Sequence, residues 1–523
     1  MKPIIKNLWM AVAMLCSFNF ASAYDFEVDS MYYNIISSTE MTAELVGLNP
    51  DWDNPIVKIP SQVTFNNRSL SVVTTLKYYS PKNKELIRKV IFPTTMKVIN
   101  NLFEDCSKLE EIYIPEGVER IGASAFRECA SLPEITLPQS LKSIGDCAFY
   151  GCDSLKRINI HDVKSWLSIN YIDDRYIHTN SNAHLFYGDG DLYINNEIVH
   201  DLVIPNGIEQ IPDYAFYDWS KLEHLFIPPS VTYIGCHVFN GCSGLKSIYF
   251  DDSENPLYFD NRYDETPILN SCEQLDSLYL GRNIDYSGTE KSPFYKSKIG
   301  YLTIGNLVTE IPSFYDSWIR KVNIPKSISK ISYNPFIECP LTTLIIEDGD
   351  TPLDVGGSNN NMFINNSTRY LYLGRSVEGY YLSYGMKNLN TIEIGENVNT
   401  IPPSFISNSQ YLDTIKIHNN NPPEYNGGFK EVKYATICLE VPIGSIDKYK
   451  NHPVWQKFWN IEDCLPQIES GVKDILADED SIFDVFNLKG ILIKKNCTKE
   501  LLETLPNGIY LVKGRKKSYK IKI

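Results

Sequence analysis

Short stretches of alternating apolar and polar residues recur along the chain at a nearly constant distance. Residues 109–131 read LEEIYIPEGVERIGASAFRECAS, and residues 132–154 read LPEITLPQSLKSIGDCAFYGCDS. Related phrases return at 200–222 and 223–245, and shorter remnants such as VNIP at 322–325 continue the pattern. A repeat of about 23 residues indicates a stack of similar structural units.

Each unit combines one short strand with a reversal of the chain. Ile112 and Ile114 alternate with polar neighbours, which predicts a strand with one apolar face. Pro115 lacks the N–H that a sheet ladder requires, so the strand ends there. Ile121-Gly122 predicts a tight corner, and from Ala125-Phe126 onward the apolar residues have helix-like spacing in a single turn. Because one unit alone buries too little apolar surface, neighbouring units must share a core.

The sequence therefore predicts an α/β solenoid dominated by β structure, with a parallel sheet on one face. The repeated apolar positions are the expected core, and they are Leu109, Ile112, Ile114, Ile121, Phe126, Cys129, Leu132, Ile144, Phe149, Cys152, Leu155, Phe216, Phe239 and Cys242.

The cysteines follow the repeat instead of a disulfide or metal pattern. Cys106, Cys129 and Cys152 are 23 residues apart, and Cys242 stands in the same local phrase. A cysteine at the repeat period is expected to be a small buried residue that stacks on its neighbours. No C-x-x-C spacing occurs and the histidines are scattered, so we expect no metal site and no cofactor.

Residues 114–132 and 137–155 follow the phrase I-P-x-x-V-x-x-I-G-x-x-A-F-x-x-C-x-x-L. This phrase resembles the BspA-like leucine-rich-repeat surface proteins, which are exported by Gram-negative anaerobes of gut and mouth. The resemblance extends over residues 24–465. It implies a right-handed leucine-rich-repeat solenoid and a role as an adhesin or host-binding protein.

Several segments outside the regular repeat are predicted as caps or insertions. Residues 24–85 are expected to form an N-terminal β cap, with a hairpin turn at Asn66-Asn67. The solenoid then extends over 86–465, with an inserted turn and hairpin near 160–199. Residues 439–461 are expected to seal its C-terminal end with a strand and an amphipathic helix. The aromatic residues of that helix could instead bind a ligand, and they are Tyr449, Trp455, Phe458 and Trp459.

Both ends of the chain carry features of exported proteins. Residues 1–23 have a basic start, a short apolar run and an Ala21-Ser22-Ala23 cleavage pattern, which predicts a signal peptide. A polar linker is expected at 466–480. Residues 481–523 alternate like short strands and predict a small antiparallel β-sandwich. Their phrase G-I-Y-x-V-x-G is similar to type IX secretion sorting domains, which implies contact with secretion machinery. The expected location is outside the cell or on its outer surface.

The strand register also predicts which residues point away from the core. If Ile112 and Ile114 face inward, their neighbours face the opposite side of the sheet. The aromatic residues on that outward stripe are the candidate ligand-binding residues, and they are Tyr113, Phe226, Tyr249, Tyr279 and Tyr372. Exposed aromatic residues in a row are typical of contact surfaces. Alternatively, the rings simply pack against cross-strand neighbours.

Charge and motifs limit the classes of function. The net charge is −15, and removing Lys2 and Lys6 makes it −17, so nucleic acid is a poor partner. No hydrolase, zinc-protease or nucleotide-binding phrase occurs, and we expect no enzyme activity. Acidic loops such as 251–254 match no calcium-binding frame and are expected to be solvated. The predicted function is recognition of a protein or glycoprotein. The alternative is an assembly component of the bacterial envelope.

Overall fold

The structure is a computed structural model. It describes residues 24–79, 82–172, 190–260, 268–269, 271–273, 275–286, 292–331, 333–355, 367–378, 386–401, 409–425, 432–465, 483–487, 492–497, 509–513 and 518–522. The chain divides into an N-terminal unit, residues 1–319, and a C-terminal unit, residues 320–523. The predicted signal peptide and the linker at 466–480 lie outside the described residues.

Most described elements of the N-terminal unit are strands of two to seven residues. They are β1 (Phe26–Val28), β2 (Met31–Ser37), β3 (Thr42–Leu48), β4 (Ile56–Lys58), β5 (Gln62–Phe65), β6 (Arg68–Tyr79), β7 (Lys89–Ile91), β8 (Val98–Ile99), β9 (Glu111–Tyr113), β10 (Arg120–Ile121), β11 (Glu134–Thr136), β12 (Ser143–Gly145), β13 (Arg157–Ile160), β14 (Asn170–Ile172), β15 (Asp191–Ile194), β16 (Glu197–Ile198), β17 (Asp201–Val203), β18 (Gln210–Ile211), β19 (His224–Ile227), β20 (Tyr233–Ile234), β21 (Ser247–Phe250), β22 (Leu257–Phe259), β23 (Ser277–Leu280), β24 (Ile284–Asp285) and β25 (Tyr301–Ile304). The helical elements are α1 (Val163–Leu167) and two 3₁₀ turns, Lys84–Leu86 and Asn101–Phe103.

The C-terminal unit contains the same kinds of element. Its strands are β26 (Lys321–Ile324), β27 (Thr343–Ile346), β28 (Leu353–Asp354), β29 (Tyr370–Leu373), β30 (Val377–Glu378), β31 (Thr391–Ile394), β32 (Thr400–Ile401), β33 (Thr414–Ile417), β34 (Glu424–Tyr425), β35 (Cys438–Pro442), β36 (Asn460–Leu465), β37 (Phe483–Asn487), β38 (Leu492–Cys497), β39 (Ile509–Lys513) and β40 (Ser518–Lys522). The helical elements are α2 (Ile446–Lys450) and a 3₁₀ turn, Trp455–Lys457.

The repeat strands pair in parallel with the next turn of the chain, as predicted. In the N-terminal unit the principal ladders are β4-β7-β9, β11-β13-β15 and β17-β19-β21-β23-β25. In the C-terminal unit the ladder is β26-β27-β29-β31-β33-β35-β36. Residues one repeat apart stand side by side, for example Ile135 beside Ile158 and Leu225 beside Ile248. The predicted parallel-stranded solenoid is therefore confirmed.

A second line of parallel strands lies where a tight corner was predicted. Arg120 and Ile121 form β10, which pairs in parallel with β8 and β12. Gly122 follows β10 and Gly145 is the last residue of β12, and neither has room for a side chain. A Cβ on Gly145 would lie 2.4 Å from the Ala123 nitrogen of the preceding turn. Glycine is thus required by the close approach of successive turns and not by a corner.

The segment after this second strand is not helical, which corrects the predicted helix-like turn. Ser124 and Glu128 have positive φ angles of 55° and 60°, which rotate their peptide groups out of a helical path. The Phe126 and Glu128 N–H groups donate to carbonyls of the next repeat, at 2.9 and 2.7 Å. Backbone hydrogen bonds therefore run between turns here, as they do in the sheets, and the apolar spacing reflects a tightly coiled arc.

The predicted core residues lie inside the stack. Every residue of the expected core set is buried except Ile112, which is half-buried. The Phe126 and Phe149 rings stack with centroids 5.6 Å apart, and Phe216 and Phe239 stack in the same way at 5.9 Å. Stacked units thus share one interior in which equivalent side chains meet.

The repeat cysteines are free thiols with a specific partner. The Cys129 Sγ donates to the Phe103 carbonyl at 3.3 Å, and the Cys152 Sγ donates to the Phe126 carbonyl at 3.2 Å. Cys242 makes the same bond to the Phe216 carbonyl at 3.0 Å. Burial raises the pKa of the Cys152 thiol to about 12. All cysteines with described side chains are free. Their period therefore arises because each thiol bonds to the preceding turn.

The caps differ in detail from their predicted bounds. Asn66 and Asn67 form the predicted hairpin turn with positive φ between β5 and β6. However, β4 already pairs in parallel with β7, so repeat geometry begins upstream of residue 86. The predicted insertion contains a hairpin of β15 and β16, turned at Asn195-Asn196, and β15 itself continues the repeat ladder.

The aromatic residues near the C-terminal end of the repeats mainly seal the core. Tyr449, Trp455 and Phe458 are buried, and the Tyr449 hydroxyl donates to the Asn419 carbonyl at 2.6 Å. Trp455 Nε1 donates to the Pro423 carbonyl at 2.9 Å. Trp459 is 81% exposed and takes no part in the seal. Instead of one amphipathic helix, this segment forms α2 and a separate 3₁₀ turn.

The last described strands form a four-stranded antiparallel sheet in the order β38-β37-β39-β40. This agrees with the predicted antiparallel character of residues 481–523. Among the described residues of this segment these strands make a single sheet, and a second layer of a sandwich is not among them. Residues 488–491, 498–508 and 514–517, which connect these strands in the chain, lie outside the described residues.

Candidate ligand-binding face

The outward positions of the principal strands have the predicted orientation. In β19, β21 and β23 the side chains alternate between buried and partly exposed. The same alternation occurs in β27, β29 and β31 of the C-terminal unit. We call the set of outward side chains in each unit its outer face. The outer face carries the candidate residues.

Three candidate aromatic residues form a continuous stack on the outer face of the N-terminal unit. Phe226, Tyr249 and Tyr279 are cross-strand neighbours in register. The Phe226 and Tyr249 ring centroids are 5.4 Å apart, and those of Tyr249 and Tyr279 are 4.2 Å apart with an angle of 5° between planes. We call these three residues the aromatic ladder. Because the ring faces cover one another, the ladder presents ring edges and hydroxyl groups outward.

The ladder continues into apolar surface at one end. Val203 stands beside Phe226 in the ladder register and is 55% exposed. At the other end, Tyr279 stands beside Thr303. The stacking agrees with the cross-strand interpretation of the stripe, and ligand binding at the stripe stays a prediction. The rings do pack against cross-strand neighbours, and they also leave a half-exposed apolar strip.

The remaining two candidates are not part of the ladder. Tyr113 lies in β9, beside Ile91 of β7, and is 55% exposed. Tyr372 belongs to the C-terminal unit and stands between Ile345 and Glu393. The structure thus brings three of the five candidate aromatics together and leaves the other two in different surroundings.

Tyr193 is an outward aromatic residue that was not predicted, because it lies in the segment that interrupts the repeat. Tyr193 in β15 stands beside Asn159, in the outward register. The Arg157 guanidinium lies over the Tyr193 ring at 3.9 Å from its centroid. The alternation in DLYI (191–194) was the available signal, since it places Tyr193 opposite the inward Leu192.

Tyr279 also has a polar role, because its hydroxyl donates to Asp252 Oδ1 at 2.8 Å. Burial and the neighbouring Tyr249 and Asp252 raise the pKa of Tyr279. The hydroxyl therefore stays protonated at neutral pH and can hold the 251–254 loop. Tyr372 makes the same bond to Asp348 Oδ1 at 2.8 Å. Burial and Asp348 raise the pKa of Tyr372 as well.

The outer face of the C-terminal unit is more polar than the aromatic ladder. Glu393 accepts from the Tyr370 hydroxyl at 2.6 Å and contacts His418 Nε2 at 2.7 Å. Burial alone would raise the pKa of Glu393, but these two partners bring it below its usual value. Lys416 forms an ion pair with Glu440 at 3.3 Å. Charged side chains here satisfy one another across strands.

The repeat phrase and the parallel ladders are matched by a known family model. The BspA type leucine-rich repeat region matches residues 61–183, 191–313, 267–368 and 312–435, with six copies. The chain belongs to this family. Membership of this family is consistent with a role in binding or recognition.

Several solved structures are similar to this BspA-type chain. A leucine-rich repeat protein from Bacteroides ovatus is 20% identical, with a TM-score of 0.32, and the match covers 82% of this chain and 97% of that one. A leucine-rich cell surface protein from Faecalibacterium prausnitzii is 20% identical, with a TM-score of 0.32 and coverage of 77% and 95%. The pneumococcal vaccine antigen PcpA is 17% identical, with a TM-score of 0.28 and coverage of 84% and 98%. None of the curated proteins compared with the chain matches it.

Two buried arginines of this BspA-type protein were not predicted. Arg282 is fully buried and donates to the carbonyls of Pro228, Pro229 and Val231, at 2.8, 3.2 and 2.6 Å. Burial lowers the pKa of its guanidinium to about 10, which leaves it charged at neutral pH.

Arg375 makes the equivalent bonds in the C-terminal unit. It is fully buried, and it donates to the carbonyls of Pro325, Lys326 and Ile328 at 3.0, 3.0 and 2.7 Å. The repeated phrase LYLGR, at 278–282 and 371–375, is the signal that could have revealed both arginines.

One group of side chains has the composition of a metal site. Potential ligand atoms of Asp213, Cys236 and Asp260 lie within 4.8 Å of one another. Asp213 Oδ1 accepts from the Cys236 N–H at 2.9 Å, and Asp260 accepts from the Tyr233 hydroxyl. These bonds account for both carboxylates without an ion.

Among the helices that the structure describes, none has the length and apolar character needed to cross a bilayer.

Proposed function

We propose that this chain is an exported recognition protein that binds a protein or glycoprotein at the outer face of its N-terminal unit. The observation that carries the proposal is the aromatic ladder of Phe226, Tyr249 and Tyr279, which is extended by Val203. A half-exposed apolar strip of this kind is typical of protein contact surfaces, where aromatic residues contribute most of the affinity.

The surroundings of the ladder favour a macromolecular ligand over a small one. The ring faces are covered by neighbouring rings, so a sugar or a nucleobase has no free face of Tyr249 on which to stack. The ring edges instead form a shallow strip along successive strands. A flat strip suits a partner that can cover several strands at once.

A paired substitution tests the ladder as the contact surface. Phe226→Ser with Tyr249→Ser removes two outward rings but leaves the Tyr279–Asp252 bond in place. Binding of the full chain to immobilised mucin and to cultured epithelial cells is then measured. We expect a loss of about tenfold or more, since central aromatic contacts are typically worth about 2 kcal/mol or more.

Trp459→Ser provides the matched control, because Trp459 is exposed and lies outside the ladder. It should leave binding unchanged. Circular dichroism and urea titration establish that each variant is folded. Equal binding by the folded double variant and the original chain would refute the ladder as the contact surface.

We further propose that the protein is displayed on the outer surface of the cell, with residues 481–523 acting as a sorting segment. The support is the BspA-type family match and the four-stranded antiparallel sheet of this segment. Protease treatment of intact cells should degrade the protein if it is displayed. Protection from protease, with capture of envelope proteins by the purified chain, would favour the envelope-assembly alternative instead.

A further inference from the structure

A depression of about 540 Å³ opens on the C-terminal unit. Its described lining consists of Arg369, Asn388, Asn390 and Tyr411. Arg369 immediately precedes β29 and Asn390 immediately precedes β31, so both stand where a principal strand begins. Asn388 and Tyr411 each precede a buried repeat leucine. The volume is in the range of sites for small ligands.

The lining combines a cation, two amides and one aromatic ring. Among the described residues no carboxylate pairs with the Arg369 guanidinium, although the chain carries a net charge of −15. The Asn390 amide is held in place because its Nδ2 donates to Asp413 at 2.9 Å and its Oδ1 accepts from Thr391 at 2.9 Å. Tyr411 is 64% exposed. A cation and a ring are thus both available to a ligand.

The backbone at Arg369 and Asn390 is already paired, so a ligand must be recognised there by side chains. The Asn390 and Thr391 N–H groups donate to the Arg369 carbonyl at 2.8 and 2.9 Å. The Arg369 N–H donates to the Thr342 carbonyl at 2.9 Å. A peptide could not add to this edge as an extra strand. Amides that both donate and accept, beside an exposed ring, instead match the hydroxyls and apolar face of a sugar.

We propose that this depression binds a carboxylated pyranose, either a sialic acid or a uronic acid, as part of a glycan. The Arg369 guanidinium would pair with the sugar carboxylate, because its planar donors match a carboxylate. Asn388 and Asn390 would bond to ring hydroxyls, and the Tyr411 ring would contact the apolar face of the sugar. This site uses no residue of the aromatic ladder and lies in a different unit.

The test is titration of the full chain with defined saccharides, monitored by calorimetry and saturation-transfer NMR. The probes are 3′-sialyllactose, a disaccharide that ends in glucuronic acid, and lactose as the neutral reference. We expect at least one carboxylated probe to bind at least about tenfold more tightly than lactose, with weaker binding at high salt. The two carboxylated probes distinguish sialic from uronic acid.

Variants of the lining assign the site. Arg369→Gln should reduce affinity for the carboxylated probe by about tenfold or more, and Tyr411→Ala should reduce it severalfold. Arg320→Gln is the matched control, because Arg320 is also exposed and immediately precedes a principal strand. All three positions are exposed, so the variants should fold normally.

Three results would overturn the proposal. These are equal binding of lactose and both carboxylated probes, full binding by folded Arg369→Gln, or tighter binding of a short glutamate peptide than of any saccharide. The Phe226→Ser, Tyr249→Ser variant separates this proposal from the one above. It should lose mucin binding by the ladder while retaining the carboxylated probe.

Discussion

Replacing Arg282 with methionine should destabilise the N-terminal unit strongly, because its guanidinium is buried and bonds to three backbone carbonyls. The guanidinium donates to three carbonyls of the turn 228–231, which lies more than one repeat earlier in the sequence. Methionine occupies a similar volume and leaves only a small cavity. The loss of hydrogen bonds is therefore the main effect of the substitution.

The size of the effect follows from the three bonds and from burial. A hydrogen bond to a charged group contributes about 1.5–3 kcal/mol, and a buried acceptor left without a donor costs about 1–3 kcal/mol. Against this, removing the guanidinium relieves the desolvation that lowers its pKa to about 10. We therefore expect a loss of about 3–5 kcal/mol, which is typical of breaking a buried charged interaction.

Amide hydrogen exchange gives the local readout, because long repeat arrays need not unfold in a single step. In Arg282→Met the amides of residues 232–236, which follow the turn, should exchange faster. Their free energy of opening should fall by about 3–5 kcal/mol. Arg375→Met should do the same to the equivalent turn 325–328 and its following residues. Arg282→Lys should lie between the original chain and Arg282→Met, since one ammonium group cannot reach all three carbonyls. The exposed Arg320→Met is the control. Unchanged protection in both buried variants would refute the reasoning.

Three further results are expected. Cys147 is only half-buried and should react with iodoacetamide at pH 8 well before Cys129, because burial raises the pKa of the Cys129 thiol. Equal labelling rates of the two cysteines in pulse-labelling mass spectrometry would contradict this. Asp162→Ala should destabilise α1 by about 1 kcal/mol at pH 6, because its side chain caps the helix. The Ser165 N–H lowers the pKa of Asp162 to about 2, so this advantage exists above pH 4 and is lost as the pH falls toward 2; a urea-titration difference independent of pH would contradict it. Gly395→Ala should weaken the Tyr372–Asp348 bond, because a Cβ would lie 2.9 Å from Asp348 Oδ1; unchanged exchange of residues 347–350 would show that the loop adapts.

The sequence was sufficient to predict the stack, its inward residues and its outward register. This succeeded because a parallel ladder forces residues one repeat apart to be neighbours, so a pattern of spacing becomes a pattern of contacts. Ile135 beside Ile158 is a direct consequence of the 23-residue step. The same logic failed for Ser124 and Glu128, since apolar spacing does not distinguish a helical turn from a coiled arc with positive φ.

The polar contacts inside the stack could not be predicted from one repeat. Arg282 bonds to a turn 51–54 residues earlier, so its partner lies outside the repeat in which it stands. Composition would place an arginine on the surface. Only the comparison of two distant copies of the same phrase, LYLGR at 278–282 and 371–375, indicates that the residue is internal.

The LYLGR phrase, which occurs once in each unit, also distinguishes two kinds of aromatic residue on the outer faces. Tyr279 and Tyr372 occupy equivalent places. Each follows an acidic loop to which it donates a hydrogen bond, and each is packed beside a glycine, Gly305 or Gly395, that leaves room for this bond. A contact that recurs in two units with the same geometry needs no ligand to explain it, since it fastens the loop in both.

Phe226 and Tyr249 do not recur in this way. The equivalent positions in the C-terminal unit are Asn323 and Ile345, within a repeat phrase whose inward residues are retained. The fold therefore tolerates other side chains at these two places, which means that their rings are not required by the stack. Phe226 and Tyr249 are half-exposed, and the fold does not require their rings. They are therefore better candidates for ligand contact than Tyr279 and Tyr372, which hold loops. Phe226 and Tyr249 are thus the positions at which substitution should separate binding from folding.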